Sequence, residues 1–284
     1  MCEFSFIILT YNEEQHLPRL LQSIEELQAP LYILDSGSND KTLDICKRYN
    51  AEIHIHKFDN HPKQWNIALN FFKVKTPWII ALDADQIVTQ ELFTQLKEFK
   101  DINYKNINAI YFNRKNYFKG KWIKFGGYYP KYLLKMFRNG VGYSDLNENM
   151  DHRFIVPGKS IVWRNGHIIE ENLKENNISF WIQKHDKYSN LVAEEEVQRA
   201  LLNRKQSYKP NFFGSPDERI AFLKNKWWQF PLIIRPFLYF IYRYIFQLGF
   251  LDGKYGFIFH FLQGFWFRLI VDIKMEELKK NYKK

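Results

Sequence analysis

The amino-acid sequence predicts an α/β fold in which helices cover both faces of a mainly parallel sheet. Short apolar runs rich in β-branched and aromatic residues alternate with segments of helical spacing through residues 1–100. This alternation is typical of βαβ units, whose strands run parallel. After residue 215 the pattern changes to long runs of Phe, Tyr, Ile and Leu, so we expect C-terminal amphipathic, aromatic-rich helices.

The predicted elements of the N-terminal region follow a regular order. The predicted strands are residues 4–10, 31–35, 51–58 and 78–85. The predicted helices are residues 13–27, 39–50, 64–72 and 89–99. Apolar residues recur every three or four positions in the first helix, which is the spacing of one helix face.

The remaining residues give fewer and longer elements. Residues 108–118 and 132–138 are strand candidates, and residues 179–204 predict a long helix. The changes in pattern divide the chain into three regions, which are residues 1–100, 101–215 and 216–284.

Charge and cysteine content narrow the class of protein. Lys and Arg outnumber Asp and Glu by 41 to 31, a net charge of +10, which favours anionic membranes, nucleic acids or phosphorylated ligands. The aromatic residues are concentrated in the apolar C-terminal runs, so nucleic-acid binding is disfavoured. Cys2 and Cys46 form no disulfide framework, and no signal peptide begins the chain, so we expect a protein of a reducing compartment.

Three predicted strands end in polar residues. The first ends at Thr10, the second at Asp35 and the fourth at Asp83 and Asp85. The carboxyl ends of parallel strands meet at one edge of the sheet, where ligands of open α/β sheets bind. Two carboxylates one residue apart can also approach Mg²⁺ or Mn²⁺, which prefer oxygen ligands.

Four segments carry a resemblance to a known family. "TYNEE", "LDSGSNDKT", "KQWNIAL" and "WIIALDADQ" occur in this order within the first 86 residues. Together they resemble family 2 glycosyltransferases, which have the GT-A fold, and the later segments are similar to bacterial lipopolysaccharide-core and exopolysaccharide enzymes. The resemblance implies a nucleotide-sugar-binding half at 1–100, an acceptor-binding half with the catalytic base at 101–215, and a membrane-associating region at 216–284.

The resemblance also implies roles for single residues. The residues expected to contact the nucleotide sugar are Thr10, Asn12, Glu13, Asp35, Ser36, Lys63 and Asp83. Within this set, Asp35 would accept a hydrogen bond from the base, and Lys63 would meet the diphosphate. Asp85 would be the direct metal ligand, with Asp83 on the ribose or the metal. Trp65 departs from the polar residue that is common in the family.

The catalytic base is expected in the second half of the chain, opposite the leaving diphosphate. The segment "NENMDHRF" offers Asp151 as the first candidate and Glu148 as the second. His152 stands where many members of the family have Glu, so the assignment between the two carboxylates stays open. Both could also have structural roles.

The C-terminal apolar runs favour contact with a membrane. Arg235, Arg243 and Arg268 interrupt them, which suits helices that lie in the headgroup region with these arginines on lipid phosphates. Helices packed on the core or in a homodimer are the alternative.

The resemblance therefore implies an inverting, metal-dependent transferase that takes a sugar from a nucleotide-diphosphate donor, with UDP as the expected nucleotide. The acceptor would be a glycan or lipid-linked molecule at the cytoplasmic side of a bacterial inner membrane. A sugar nucleotidyltransferase is a weaker alternative, because "TYNEEQHL" lacks a glycine-rich phosphate loop. A catalytically inactive membrane scaffold is another.

Overall fold

The computed structural model describes residues 2–148, 153–202 and 206–281, which pack into two compact units. The described residues of the first unit are 2–115, 131–146 and 153–173. Those of the second unit are 116–130, 147–148, 174–202 and 206–281. The three-region division expected from the sequence follows changes of pattern rather than these units, and it stays a prediction.

The elements alternate as expected at the N-terminus. The strands are β1 (Phe4–Thr10), β2 (Leu31–Asp35), β3 (Glu52–Ile55), β4 (Trp78–Asp83), β5 (Gln86–Val88), β6 (Ala109–Phe118), β7 (Lys121–Ile123), β8 (Lys131–Arg138), β9 (Tyr143–Ser144), β10 (Phe154–Ile155) and β11 (Ser160–Glu170). The α-helices are α1 (Leu17–Ile24), α2 (Thr42–Arg48), α3 (His61–Phe71), α4 (Gln90–Lys97), α5 (Ile178–Leu202), α6 (Pro216–Trp227), α7 (Ile234–Ile241), α8 (Gly253–Phe259) and α9 (Phe267–Asn281). Tighter or wider helical turns lie at Glu25–Leu27, Asp101–Tyr104, Leu173–Asn176, Tyr242–Phe246, Gly249–Asp252 and His260–Trp266.

The main sheet has the strand order β3-β2-β1-β4-β8-β6-β11-β5, and β7 pairs with the end of β6. β1 is parallel to both β2 and β4, and β2 is parallel to β3. The carboxyl ends of these four strands therefore meet at one edge. β11 runs antiparallel to β5, which places Glu170 opposite Gln86 next to that edge.

Burial on both faces explains the continuous apolar pattern of β1. Phe4, Phe6 and Ile8 join a cluster with residues of α1 and α4, while Ile7 and Leu9 face a second cluster that includes Trp65 of α3. All seven residues of the strand are buried. Parallel strands covered by helices on both sides are typically apolar throughout. Each fully buried large apolar side chain contributes about 1.5–3 kcal/mol, so the apolar half of each strand holds its polar end in place.

The second unit is organised around the long helix α5 and the C-terminal helix α9. Ala193 and Val197 of α5 pack against Phe267, Val271 and Met275 of α9. Among the described residues, one helical stretch, Gly249–Asn281, is long and apolar enough to cross a membrane by length and composition alone, with 39% of its most apolar window buried.

Two arginines expected on lipid phosphates are turned inward, so the prediction for them is wrong. Arg235 is 2% exposed and donates to both carboxylate oxygens of Asp272 and to Glu196. Arg243 donates to the carbonyl oxygen of Gly126, and its guanidinium lies 4.0 Å from the ring centroid of Tyr128. Both arginines bind residues of their own unit that are distant in sequence. These contacts, which the apolar pattern of the sequence does not show, determine where the two side chains point.

Candidate active site

The ends of β1 and β2 are joined through a buried carboxylate. Asp35 is completely buried, and its Oδ2 accepts from Thr10 Oγ1 at 2.7 Å and from Ser38 Oγ at 2.6 Å. Its Oδ1 accepts from the backbone N–H groups of Gly37 and Ser38 at 2.9 and 2.7 Å. A carboxylate with this many donors fixes the loop that follows the strand.

The loop after β1 is held by the same turn. Asn12 has a φ of +55°, in the left-handed region that Asn tolerates better than most residues. Its backbone N–H donates to Ser38 Oγ at 2.8 Å, and its Oδ1 accepts from the Asn39 N–H at 2.8 Å. The two predicted residues Asn12 and Ser36 thus belong to neighbouring loops at one edge.

The carboxylate of Glu13 forms a hydrogen bond with the ring of His16. His16 is 1% exposed, and its Nε2 accepts from the Leu173 N–H at 2.7 Å. Because an N–H donor faces Nε2, the ring proton is on Nδ1 and donates to Glu13 Oε2. Glu13 therefore orients His16, and its backbone N–H donates to Thr42 Oγ1.

Ser36 is tied to α3 through an amide. The side chain of Gln64, 1% exposed, donates to Ser36 Oγ at 3.1 Å and to the carbonyl oxygen of His56 at 3.0 Å. This connection fixes the ends of β2 and β3 to the first turns of α3.

Asp83 and Asp85 have different surroundings. Asp83 Oδ2 accepts from the ammonium of Lys135 at 2.7 Å and from the Gln86 amide at 3.0 Å. Lys135 is 3% exposed, on β8, which is the antiparallel neighbour of β4. Asp85 Oδ2 accepts from the Asn172 amide at 3.3 Å, and the Asp85 carbonyl oxygen accepts from the Glu171 N–H.

These surroundings bear on a divalent cation. Mg²⁺ in proteins is typically held by one or two carboxylates and by substrate phosphates. Asp85 is a carboxylate that fits this requirement, whereas Oδ2 of Asp83 already faces an ammonium. In the described part of the chain, no group of three or more His, Cys, Asp or Glu side chains is gathered that could hold a metal. A divalent cation at Asp85 would therefore need further oxygen ligands from a bound molecule.

A second row of charges lies beside Asp83 and Asp85 at the end of β11. Glu170 accepts from Gln86 Nε2 at 3.1 Å and from Arg114 at 2.6 Å. The next residue, Glu171, forms an ion pair with Arg19 of α1. Glu170 and Glu171 are thus each oriented by an arginine of the same unit.

Lys63 and Glu148 pair with residues outside this network. Lys63 is in the first turn of α3, half exposed, and pairs with Asp59 at 2.5 Å. Glu148 belongs to the second unit, where it is 7% exposed and accepts from Lys224 of α6 at 3.3 Å. Asp151 lies outside the described residues, so its role stays a prediction.

Sequence reasoning missed Lys135, Gln64, Gln86, Glu170 and His16. A signal existed for Lys135, which interrupts the apolar run "YLLKMF" of β8 at a position that a sheet would bury. Glu170 and His16 carried no comparable signal, because their places depend on contacts more than 80 residues distant along the chain.

The comparison with known families agrees with this geometry. The family model described as "Glycosyl transferase family 2" matches residues 5–153, slightly more than half of the chain. The chain belongs to glycosyl transferase family 2. The predicted family and its α/β GT-A fold with aromatic-rich C-terminal helices are thereby confirmed.

Individual relatives match over shorter stretches. An uncharacterized glycosyltransferase of Rickettsia typhi is 26% identical over 97 residues, which is 34% of this chain and 32% of the relative. Poly(ribitol-phosphate) beta-N-acetylglucosaminyltransferase TarS of Staphylococcus aureus is 24% identical over 121 residues, 39% of this chain and 21% of the relative. The chain spans about a third or less of the length of the first curated relatives it matches.

Solved structures are similar over nearly the whole chain. A crystal structure of a TarS fragment from Staphylococcus aureus in complex with UDP has a TM-score of 0.44 and 14% sequence identity, and the match covers 98% of this chain and 92% of that one.

Proposed function

We propose that this family 2 protein is an inverting, metal-dependent glycosyltransferase that uses a UDP-linked sugar. The observation that carries the proposal is the convergence of Asp35, Asp83 and Asp85 at the carboxyl edge of the parallel strands. TarS, a relative, is named for transfer of a sugar to poly(ribitol-phosphate), which supports a polymeric acceptor. Within this class we propose a glycan or lipid-linked acceptor of the lipopolysaccharide or exopolysaccharide type.

The loops after β1 and β2 would hold the nucleoside. Thr10, Asp35 and Ser38 form a closed network, so these loops can keep one shape when a nucleotide binds. Because these loops are already ordered, less conformational entropy is lost when the nucleotide binds.

Asp85 would hold a divalent cation together with the diphosphate of the donor, and such a cation neutralises the diphosphate as a leaving group. Lys135 and Arg114 keep the neighbouring carboxylates of Asp83 and Glu170 paired, so they limit repulsion between these carboxylates and an anionic donor.

Asp151, with Glu148 as the alternative, would accept the proton of the acceptor hydroxyl. Glu148 is 7% exposed and accepts from the ammonium of Lys224 at 3.3 Å. A general base must lie within hydrogen-bond reach of the acceptor hydroxyl, so position relative to the acceptor decides between the two candidates.

The proposal is tested by titration of UDP into the protein with and without Mn²⁺. We expect binding that is tighter with the metal, and an Asp85→Asn variant that keeps weak binding but loses the metal effect. Absence of UDP binding under both conditions would contradict the proposal.

A second proposal concerns attachment to the cytoplasmic face of a bacterial inner membrane. The second unit exposes apolar side chains, here named the aromatic surface, which are Ile234, Phe237, Leu238, Ile241, Tyr242, Ile245, Phe246, Leu248, Phe250, Leu251 and Phe257. Many recur every three or four residues, so they lie along one side of the helical segments. Large exposed apolar patches on a protein are typical of membrane or protein contact.

Charge favours a membrane as the occupant. The chain has a net charge of +10, and the exposed Lys254 lies in the first turn of α8, the helix that carries Phe257. Anionic lipid attracts such lysines, each by about 1 kcal/mol. A homodimer through the same surface is the alternative outcome.

The membrane proposal is tested by flotation with phosphatidylglycerol-containing vesicles. We expect wild-type protein to float with the vesicles, and a Phe246→Asp/Phe250→Asp variant to stay in solution. Ile102→Asp is the matched control, because Ile102 is an exposed apolar residue of the first unit. Vesicle binding that the double variant keeps would contradict this proposal, and a concentration-dependent dimer that it loses would support the alternative.

A further inference from the structure

Two adjacent phenylalanines, Phe212 and Phe213, lie exposed on the turn before α6, outside the aromatic surface. They belong to the second unit and are here named the phenylalanine tip. Phe213 is 92% exposed, more than any other described large hydrophobic side chain, and Phe212 is 53% exposed. Scattered exposed apolar residues are common on proteins, but an almost fully exposed ring beside a second exposed ring is a candidate contact site.

Hydrogen bonds within the turn hold the phenylalanine tip in place. The side-chain oxygen of Asn211 accepts from the Phe213 N–H at 3.0 Å, and the Asn211 carbonyl oxygen accepts from the Gly214 N–H at 3.3 Å. Ser215 and Glu218 form a capping box at the start of α6, in which the Glu218 carboxylate accepts from the Ser215 N–H at 2.7 Å. Because the backbone on both sides of the exposed ring is already ordered, little conformational entropy is lost when the ring meets a partner.

Basic residues lie beside the phenylalanine tip. Phe212 packs against Phe222 of α6, with ring centroids 5.6 Å apart, and the ammonium of Lys226 lies 5.9 Å from the centroid of Phe222. Arg219 is three residues before Phe222, so it shares this face of α6. The two acidic residues of the segment 206–227 are not exposed. The exposed charged residues of that segment are all basic, namely Lys209, Arg219 and Lys226.

Area and charge decide between a protein and a membrane as the partner of this tip. One aromatic side chain buries about 150–250 Å², so two supply about 500 Å² at most. A standard protein interface needs about 800 Å² on each partner. A bilayer has no such minimum, because each apolar side chain enters the acyl boundary by itself. Basic side chains around an apolar one also match a layer of anionic headgroups.

We propose that the phenylalanine tip is a second membrane contact, in which Phe213 inserts at the acyl boundary of an anionic bilayer and Arg219 and Lys226 bind lipid phosphates. The assignment rests on the proposed membrane attachment of the second unit and adds a separate site to it. An apolar ring next to basic side chains suits this boundary, because the stems of Arg and Lys can lie along apolar groups while their charges stay in water.

The helix α6 separates the phenylalanine tip from the aromatic surface. It has 12 residues and is therefore about 18 Å long. At its far end, Trp227 packs against Tyr239 of α7 with ring centroids 5.3 Å apart, and α7 carries Ile234, Phe237, Leu238 and Ile241 of the aromatic surface. Two contacts separated in this way restrict rotation of the unit on the membrane, which a single contact leaves free.

The first test is binding to vesicles of equal parts phosphatidylcholine and phosphatidylglycerol, measured by flotation over a range of lipid concentrations. Phe213→Ser should weaken binding at least about tenfold, which is the lower range for burial of one phenylalanine. Because the ring is 92% exposed, the variant should keep the Tm of the wild type. Phe213→Trp keeps an aromatic ring and should keep the affinity. Ile102→Ser is the matched control, since Ile102 is a 67% exposed apolar residue of the first unit.

Insertion itself is measured by quenching with brominated acyl chains, which quench indole fluorescence only at short range. Phe213→Trp should lose more fluorescence in brominated vesicles than the wild type does. The basic residues are tested by Lys226→Gln, which should weaken binding to the anionic vesicles about fivefold, the effect of one lysine near an anionic surface. Lys75→Gln, at an exposed lysine of the first unit, is the control for this charge and should bind as the wild type does.

The outcomes separate the phenylalanine tip from the aromatic surface. If Phe213→Ser binds vesicles as tightly as the wild type, or brominated lipid does not quench the indole added at position 213, the tip is no membrane contact and the aromatic surface remains the proposed one. A dimer in solution that Phe213→Ser dissociates would assign the tip to a second copy of the chain and would also overturn the inference. Wild-type protein that binds no vesicles would overturn both membrane proposals.

Discussion

Removal of the Lys135 ammonium should destabilise the first unit strongly. The side chain of Lys135 is 3% exposed, and that of Asp83 is 24% exposed, with 2.7 Å between Nζ and Oδ2. At an effective dielectric constant of about 20, charges at this distance attract each other by roughly 6 kcal/mol, most of which offsets the cost of removing them from water. The substitution Lys135→Met keeps an unbranched apolar side chain and removes the ammonium with its charge and its hydrogen bond.

The expected loss of stability comes from the Asp83 carboxylate, which keeps its charge when the ammonium of Lys135 is removed. Breaking a buried pair costs about 3–5 kcal/mol, because the second charge is left without its partner. Water reaches Asp83 in part, and the Gln86 amide still donates to it, so we expect the lower end, about 3 kcal/mol. For a chain of this length, that corresponds to a fall in Tm of about 6–12 °C.

Thermal unfolding followed by circular dichroism measures this change. Lys75→Met is the control, because Lys75 is an exposed lysine of the same unit. Adding Asp83→Asn to Lys135→Met removes the stranded charge and should restore part of the stability. A Tm for Lys135→Met within about 2 °C of the control would refute the reasoning, because the pair would then contribute no more than an exposed one.

Three further predictions concern single groups. Arg235→Met should lower the free energy of unfolding by about 3–5 kcal/mol, because it leaves the carboxylates of Asp272 and Glu196 without this cation. Chemical denaturation measures the change, and a loss below about 1 kcal/mol would contradict the prediction. Burial, and then the charge of Asp35, raise the pKa of the Cys46 thiol to about 12, so at pH 8 only about one thiol in ten thousand is ionised. Iodoacetamide should therefore label Cys46 only after denaturation, as mass spectrometry can show, and rapid labelling of the native protein would contradict this. Burial and the neighbouring Lys115 lower the pKa of His167, so its ring should take up a proton at a lower pH than an ordinary histidine does. An NMR titration midpoint above 6.5 would be the contrary result.

The order of strands and helices in the first unit could be predicted because it depends on local pattern. β1, β2 and β4 carry apolar runs that only a covered strand explains, and their polar ends identified the site edge. The first α-helix begins at Leu17 instead of residue 13, because the backbone N–H groups of Asn12 and Glu13 donate to Ser38 after β2 and to Thr42 of α2. It ends at Ile24, and residues 25–27 form a tighter helical turn. The spacing of apolar residues does not reveal such hydrogen bonds, so it could not predict where this helix begins.

Long-range partners could not be predicted in the same way. Lys135 meets Asp83 across 52 positions, and Arg235 meets Asp272 across 37. Arg235 was expected on lipid because the sequence displays its apolar neighbours and not the acidic residue that pairs with it. For the same reason the sequence identified Asp35 as polar and edge-located but did not reveal that its own loop occupies its oxygens.

The most direct test of the glycosyltransferase proposal is release of UDP from a panel of UDP-linked sugars by the purified protein, with Mg²⁺ or Mn²⁺ and with EDTA. We expect turnover of at least one sugar that requires the metal and falls by at least about a hundredfold in Asp85→Asn, since a metal ion contributes several kcal/mol to charge stabilisation in the transition state. Turnover of no nucleotide sugar under any metal condition would contradict the proposal, and equal turnover by Asp85→Asn would contradict the role of Asp85.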